Sequence, residues 1–225
     1  MKIDKAILNK YEVIGFIIVY VVLFANAIIV KDSYVALISA FCGITYTILA
    51  GKGIPACYLI GVTGSAFYSY LSFHNALWGN LILYAGYYVP MQILGFFQWN
   101  KHLKEDAPVI KKTYLSIKER IKLCAIGAVL SVVTILVLIH LGDKSPYIDG
   151  ITTVFSIIGM YLTVKRLLEQ WVVWIVVNGL SLIMWLQIAL NGEKVYSTVI
   201  MWAVYLILAI YFYLSWKKEV STHSS

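Results

Sequence analysis

Apolar residues run for about 20 positions at a time along almost the whole chain, and charged residues fall between the runs. As an α-helix, each run is long enough to cross a hydrocarbon layer about 30 Å thick. The pattern predicts eight spans, at 11–30, 33–50, 54–72, 77–99, 121–141, 148–164, 169–190 and 195–216. Most connections are short, so sequential neighbours are expected to form antiparallel hairpins. Segment 100–120 is the exception: it is rich in lysine, contains Pro108 and divides the chain into two halves of comparable length. The expected fold class is an all-α membrane protein with eight transmembrane helices.

Composition narrows the function. Of 225 residues, 61% are hydrophobic and 13% charged, with a mean hydropathy of +0.82. Soluble domains carry about a quarter charged residues, so disorder, a coiled coil and a water-soluble enzyme are excluded. The net charge of +7 sits in the connections and reads as a topology signal, not as a nucleic-acid surface. With the N-terminus inside, 15 of the 18 lysines and arginines are cytoplasmic, leaving Lys31, Lys144 and Lys194 outside. That asymmetry predicts that both termini are cytoplasmic. Lys2, Lys5 and Lys10 precede an apolar run containing Ala25-Asn26-Ala27, a spacing that resembles a cleavage site. The run continues through Ile28, Ile29 and Val30, so a retained first helix is expected.

Cys42, Cys57 and Cys124 have no metal or disulfide spacing and read as small buried hydrophobes. His74, His102, His140 and His223 are scattered, so neither a metal nor a cofactor is expected. No span has an acid, lysine or arginine in its middle third, a group that proton-coupled carriers normally need. No phosphate-binding loop, HExxH or GxSxG occurs, leaving no basis for ATP drive or hydrolase chemistry.

The halves look related. Phe96-Phe97-Gln98-Trp99-Asn100-Lys101 closes the fourth span, and Tyr213-Leu214-Ser215-Trp216-Lys217-Lys218 closes the eighth. Tyr88 matches Tyr205 at the same offset, Gly43 and Gly159 fall in the second and sixth spans, and Asn75 and Asn191 precede the final helices. Spans two to four would then repeat as spans six to eight, joined by span five, as parallel bundles with a site between them. The expected division is an extra N-terminal helix in 1–32, a first three-helix bundle in 33–99, a basic loop and linker helix in 100–147, and a second bundle with a short tail in 148–225.

Two spans could hold chemistry. In the fourth, Tyr84, Tyr88, Gln92, Gly95 and Trp99 share one sector at about 100° per residue. Pro90 frees a carbonyl near mid-membrane. An amide facing lipid is costly, so Gln92 should meet protein or a cavity. It could make a helix–helix hydrogen bond, worth about 0.6 kcal/mol, or contact a ligand. In the seventh span, Trp171, Trp174, Asn178, Ser181 and Trp185 share one face. Trp171 suits an interfacial belt beside Glu169; Trp174 lies a turn deeper, aligned with a buried amide. Two indoles and an amide could stack a flat heterocycle and hydrogen-bond its edge.

With Glu169-Gln170-Trp171-Val172-Val173-Trp174, Asn178, the block from Tyr88 to Lys101 and the closing segment from Tyr205 to Lys218, the sequence resembles the PnuC family of bacterial vitamin transporters over about residues 30 to 218. The resemblance implies a 3+1+3 parallel repeat like that of SWEET sugar carriers, with one extra N-terminal helix. It implies a multi-pass protein of the bacterial cytoplasmic membrane and a homotrimer. It also implies facilitated diffusion of a vitamin, best known as nicotinamide riboside, trapped by cytoplasmic phosphorylation. Trp171, Trp174 and Asn178 would be binding residues, and Gln92, Tyr88 and Tyr84 complete the candidate substrate site. Thiamine or riboflavin transport is the alternative within the family, and a membrane receptor or assembly subunit is the alternative outside it.

Overall fold

The structure, a computed structural model, describes residues 10–30, 34–74, 81–104, 107–140, 142, 146–190 and 196–222. Asn75 and Asn191, cited above for the repeat, lie outside the described residues, as does the side chain of Trp185. The described residues form eight helices at the eight expected places. They are α1 (Lys10–Val30), α2 (Tyr34–Lys52), α3 (Cys57–His74), α4 (Ile82–Tyr88 continued by Val89–Asn100), α5 (Ile117–His140), α6 (Pro146–Val164), α7 (Glu169–Leu190) and α8 (Tyr196–Thr222). Three stretches, Ile117–His140, Pro146–Val164 and Val199–Ser221, are long and apolar enough to span a membrane by length and composition alone.

In α4, a π-helical stretch, Ile82–Tyr88, runs directly into α-helix Val89–Asn100. The Val89 N–H reaches back five residues to the Tyr84 carbonyl. Pro90 explains the change of winding, because it has no N–H to continue the ordinary ladder past Gly86. After α4 the chain makes a short hairpin, β1 (Leu103–Lys104) against β2 (Ala107–Ile110), which the hydrophobic pattern did not predict. α5 begins one turn earlier than expected because Ser116 and Glu119 form a capping box. The Glu119 N–H donates to Ser116 Oγ, and the Ser116 N–H and Oγ both donate to Glu119 Oε2. These hydrogen bonds hold the Glu119 carboxyl below its usual pKa.

Six helices pack in a closed ring, with α2 on α3, α3 on α4, α4 on α6, α6 on α7, α7 on α8, and α8 back on α2. α1 and α5 stand outside the ring. α1 packs on α2 and α8, with Tyr20 Oη 2.7 Å from Thr45 Oγ1. α5 packs on α6 through Gly127 and leaves Val129, Leu136 and most of its other apolar residues uncovered, as a lipid-facing helix does.

The ring is tied at the end that carries the hairpin. α2 closes with Gly53 at φ +76°, whose N–H donates to the Ala50 carbonyl while the Ile54 N–H donates to Leu49. α6 closes the same way around Arg166 at φ +62°: its N–H donates to Thr163, and that of Leu167 donates to Leu162. The linker bonds to both turns, since the Ile110 N–H donates to the Gly53 carbonyl and the Thr113 N–H to that of Arg166, each at 3.0 Å. Lys112 crosses to α8, where it pairs with Glu219 and lies 4.9 Å over the Trp216 ring. The basic connections expected on one side of the membrane thus meet at one end of the bundle.

Candidate functional site

α7 starts on a fixed first turn. Glu169 accepts the Leu115 N–H through Oε2 at 3.1 Å and pairs with Arg120 through Oε1 at 2.8 Å. From there Trp171, Trp174 and Asn178 point into the ring. At about 100° per residue the two indoles diverge by about 60°, and Asn178 falls between them roughly a turn deeper than Trp174.

The indoles pack on opposite neighbours. Trp171 turns to α8, with its ring 5.4 Å from Phe212 and 5.7 Å edge-on from Trp216. It is buried, and its Nε1–H has no acceptor among the described residues. Trp174 turns to α6, where its Nε1–H donates to Thr163 Oγ1 at 3.1 Å. A Cβ added at Gly159 would stand 3.1 Å from the same indole. A side chain there would make the ring give by a few tenths of an ångström. Asn178 is 5% exposed.

The candidates on α4 divide between two partners. Tyr84 stacks on Tyr68 of α3 at 4.2 Å and meets Tyr88 edge-on at 4.9 Å. The Tyr88 hydroxyl is directed at Ser156 of α6, and Tyr68 and Tyr205 lie near it in the ring interior. Tyr87 Oη donates to the Ile157 carbonyl at 2.7 Å. Tyr84 and Tyr88 therefore sit in a tyrosine cluster built from α3, α4 and α8, and Ser156 lies on the face of α6 whose Thr163 holds Trp174 of α7. Gln92 turns the other way, to α3. Its Oε1 accepts from Ser65 Oγ at 3.3 Å, and its amide nitrogen would lie 3.0 Å from a Cβ at Gly61. It also lines an apolar crevice of about 230 Å³ with Leu59, Ile93 and Phe97, whose side chains face outward. The contacts of Gln92 fit the helix–helix hydrogen bond that the sequence left open.

Several residues of this interior were not among the site candidates that the sequence offered. Thr163 and Gly159 hold Trp174. Tyr68 and Tyr205 complete the tyrosine cluster. Gln170, 1% exposed, has neither amide atom paired among the described residues. Gln170 precedes Trp174 by four residues, one helical turn, and that spacing alone could have marked it. A site of this kind offers aromatic faces, hydroxyls and carboxamides, and none of the residues named in it is a lysine or arginine. It is suited to a flat, uncharged or cationic heterocycle, not to an anion.

The family model described as nicotinamide mononucleotide transporter matches residues 33–218. The nicotinamide riboside transporter PnuC of Neisseria mucosa is 35% identical over 198 residues, covering 86% of this chain and 75% of that protein. Its counterpart from Haemophilus influenzae is 30% identical over 194 residues, covering 84% and 81%. A solved structure described as the crystal structure of the vitamin B3 transporter PnuC is 32% identical, with a TM-score of 0.83, covering 96% of this chain and 94% of that one. Matched over its whole helical ring, the chain belongs to the PnuC family, the nicotinamide mononucleotide transporter family, and is a multi-pass membrane transporter.

Proposed function

We propose that the protein carries nicotinamide riboside into the cell by facilitated diffusion, and that cytoplasmic phosphorylation traps the vitamin. The observation that carries this reading is the pair of indoles, Trp171 and Trp174, diverging around a buried Asn178 inside the six-helix ring. A nicotinamide ring bearing the positive charge of its glycosidic nitrogen suits an indole face, and its carboxamide suits the Asn178 amide. Tyr84 and Tyr88 would face the sugar end of the ligand. Gln92, bonded to α3, would shape the wall and not touch the vitamin.

The relatives bear names of two ligands, the riboside and the mononucleotide. The site favours the riboside. A phosphate dianion would enter a low-dielectric interior with no cation among the site residues, at a cost of several kcal/mol. The same argument makes a phosphorylated product unable to return. A thiazolium would also suit an indole, but the curated relatives named here are riboside transporters, which supports the riboside over thiamine.

The same proposal includes the architecture. Two three-helix bundles, α2–α4 and α6–α8, would be parallel repeats linked by α5, with α1 added. Support comes from the matching turns at Gly53 and Arg166 and from two matching helix ends. Trp99 of α4 donates to the Thr163 carbonyl of α6 at 2.9 Å, and Trp216 of α8 donates to the Gly51 carbonyl of α2 at 2.5 Å. The lysine and arginine excess supports the hairpin end, and both termini, as cytoplasmic. A homotrimer in the bacterial inner membrane rests on the family resemblance.

Calorimetry on the purified protein tests the ligand and the site together. Nicotinamide riboside should bind, and the mononucleotide should not. Trp174→Ala should weaken riboside binding by about 1–3 kcal/mol, the range for losing an aromatic stacking partner of a base. Asn178→Ala should also weaken it. Wild-type affinity in both variants would move the site elsewhere.

A further inference from the structure

Thr163 is the meeting point of three elements. Its Oγ1 accepts the Trp174 indole N–H at 3.1 Å and donates to the Gly159 carbonyl at 2.8 Å. Its own carbonyl accepts the Trp99 indole N–H at 2.9 Å. The residue is 2% exposed. A threonine in an apolar helix usually closes on the carbonyl four residues back and does nothing more. Here the bond to Gly159 fixes the hydroxyl so that its acceptor side faces Trp174. The glycine it bonds to is also the one against which the Trp174 ring lies.

An indole has two faces and one N–H. In this structure the N–H of Trp174 is committed to Thr163, and the Gly159 backbone of α6 stands against the ring. We infer that Thr163 is a positioning residue for ligand binding: its hydroxyl holds the Trp174 indole against α6, so that a face of the ring, and not its N–H, meets the vitamin. This rests on the proposal that Trp174 stacks on the ligand, and it adds how that contact is set. Affinity then depends on Trp174 through its face alone. It depends on Thr163 only while residue 174 has an indole N–H to hold. Trp99, bonded to the Thr163 carbonyl, ties the same point to α4, so the ring is held relative to both neighbouring helices.

The test is calorimetry with nicotinamide riboside on full-length purified protein, with thermal unfolding of each variant alongside. Thr163→Val removes the hydroxyl at nearly constant shape and should weaken binding about five- to ten-fold, as expected for one lost hydrogen bond. Thr163→Ala serves as a second variant lacking the hydroxyl if the valine does not fold. Thr163→Ser restores the acceptor and should stay within about two-fold of wild type. Trp174→Phe keeps a stacking face without the N–H, so it should bind better than Trp174→Ala. In the Trp174→Phe background, Thr163→Val should add nothing. Merely structural damage at 163 would persist in that background, and its persistence would overturn the proposal. So would wild-type affinity in Thr163→Val alongside lost affinity in Trp174→Ala, and in that case the binding site itself would stand. Wild-type affinity in Trp174→Ala would overturn the site and this proposal together.

Discussion

A tryptophan inside a membrane protein is informative when something fixes its ring, and Trp174 is fixed by Gly159 and Thr163. A Cβ at 159 would crowd the indole at 3.1 Å and the Val173 side chain at 3.2 Å, so the ring has to give by a few tenths of an ångström. Gly159→Ala should therefore weaken riboside binding by about 0.5–1.5 kcal/mol, less than loss of the ring. The melting temperature should stay close to wild type. Calorimetry and a melting curve on one sample check both. The α7 residues were legible in the sequence because indoles and an amide at helical spacing share a face whatever they pack against. The parts that Thr163, Gly159, Tyr68 and Tyr205 play around them were not, since tertiary packing alone chooses their partners. Gln92 shows the limit from the other side: the cost of an unpaired amide announced that it must be satisfied, but only the fold shows that Ser65 does so.

Whole helices were read correctly from apolar run length, and their ends less well. α5 starts early because of its capping box, and α3 starts late because Gly53 and Pro55 first turn the chain. The hairpin carries too few residues for any period to show. Close helix crossings also depend on single glycines that sequence does not rank. A Cβ at Gly51 would overlap the Phe212 ring, where α2 meets α8, and one at Gly95 would overlap Tyr58, where α4 meets α3. Gly51→Ala and Gly95→Ala should each destabilise the protein by about 1–3 kcal/mol through overpacking. Gly15→Ala, where nothing lies within 4 Å, should leave stability unchanged or slightly raised, because alanine is the better helix former. Thermal unfolding in detergent would rank the three.

At the scale of the molecule, a ring of six helices encloses aromatic and amide groups, and no span places an acid, lysine or arginine in its middle third. No carboxylate, lysine or arginine is therefore placed mid-span to bind and release a proton during transport. The linker 107–113, bonded to the closing turns of α2 and α6, holds both sides of the ring together at the basic end. Movement there has to carry those turns with it. We propose that such a ring passes a neutral or cationic vitamin down its own gradient and rejects the phosphorylated form. Uptake of labelled nicotinamide riboside into proteoliposomes containing only this protein tests that claim most directly. The vitamin should equilibrate without a pH or sodium gradient, and accumulation should begin only when a riboside kinase and ATP are enclosed. Uphill accumulation in kinase-free vesicles under a proton or sodium gradient would contradict it.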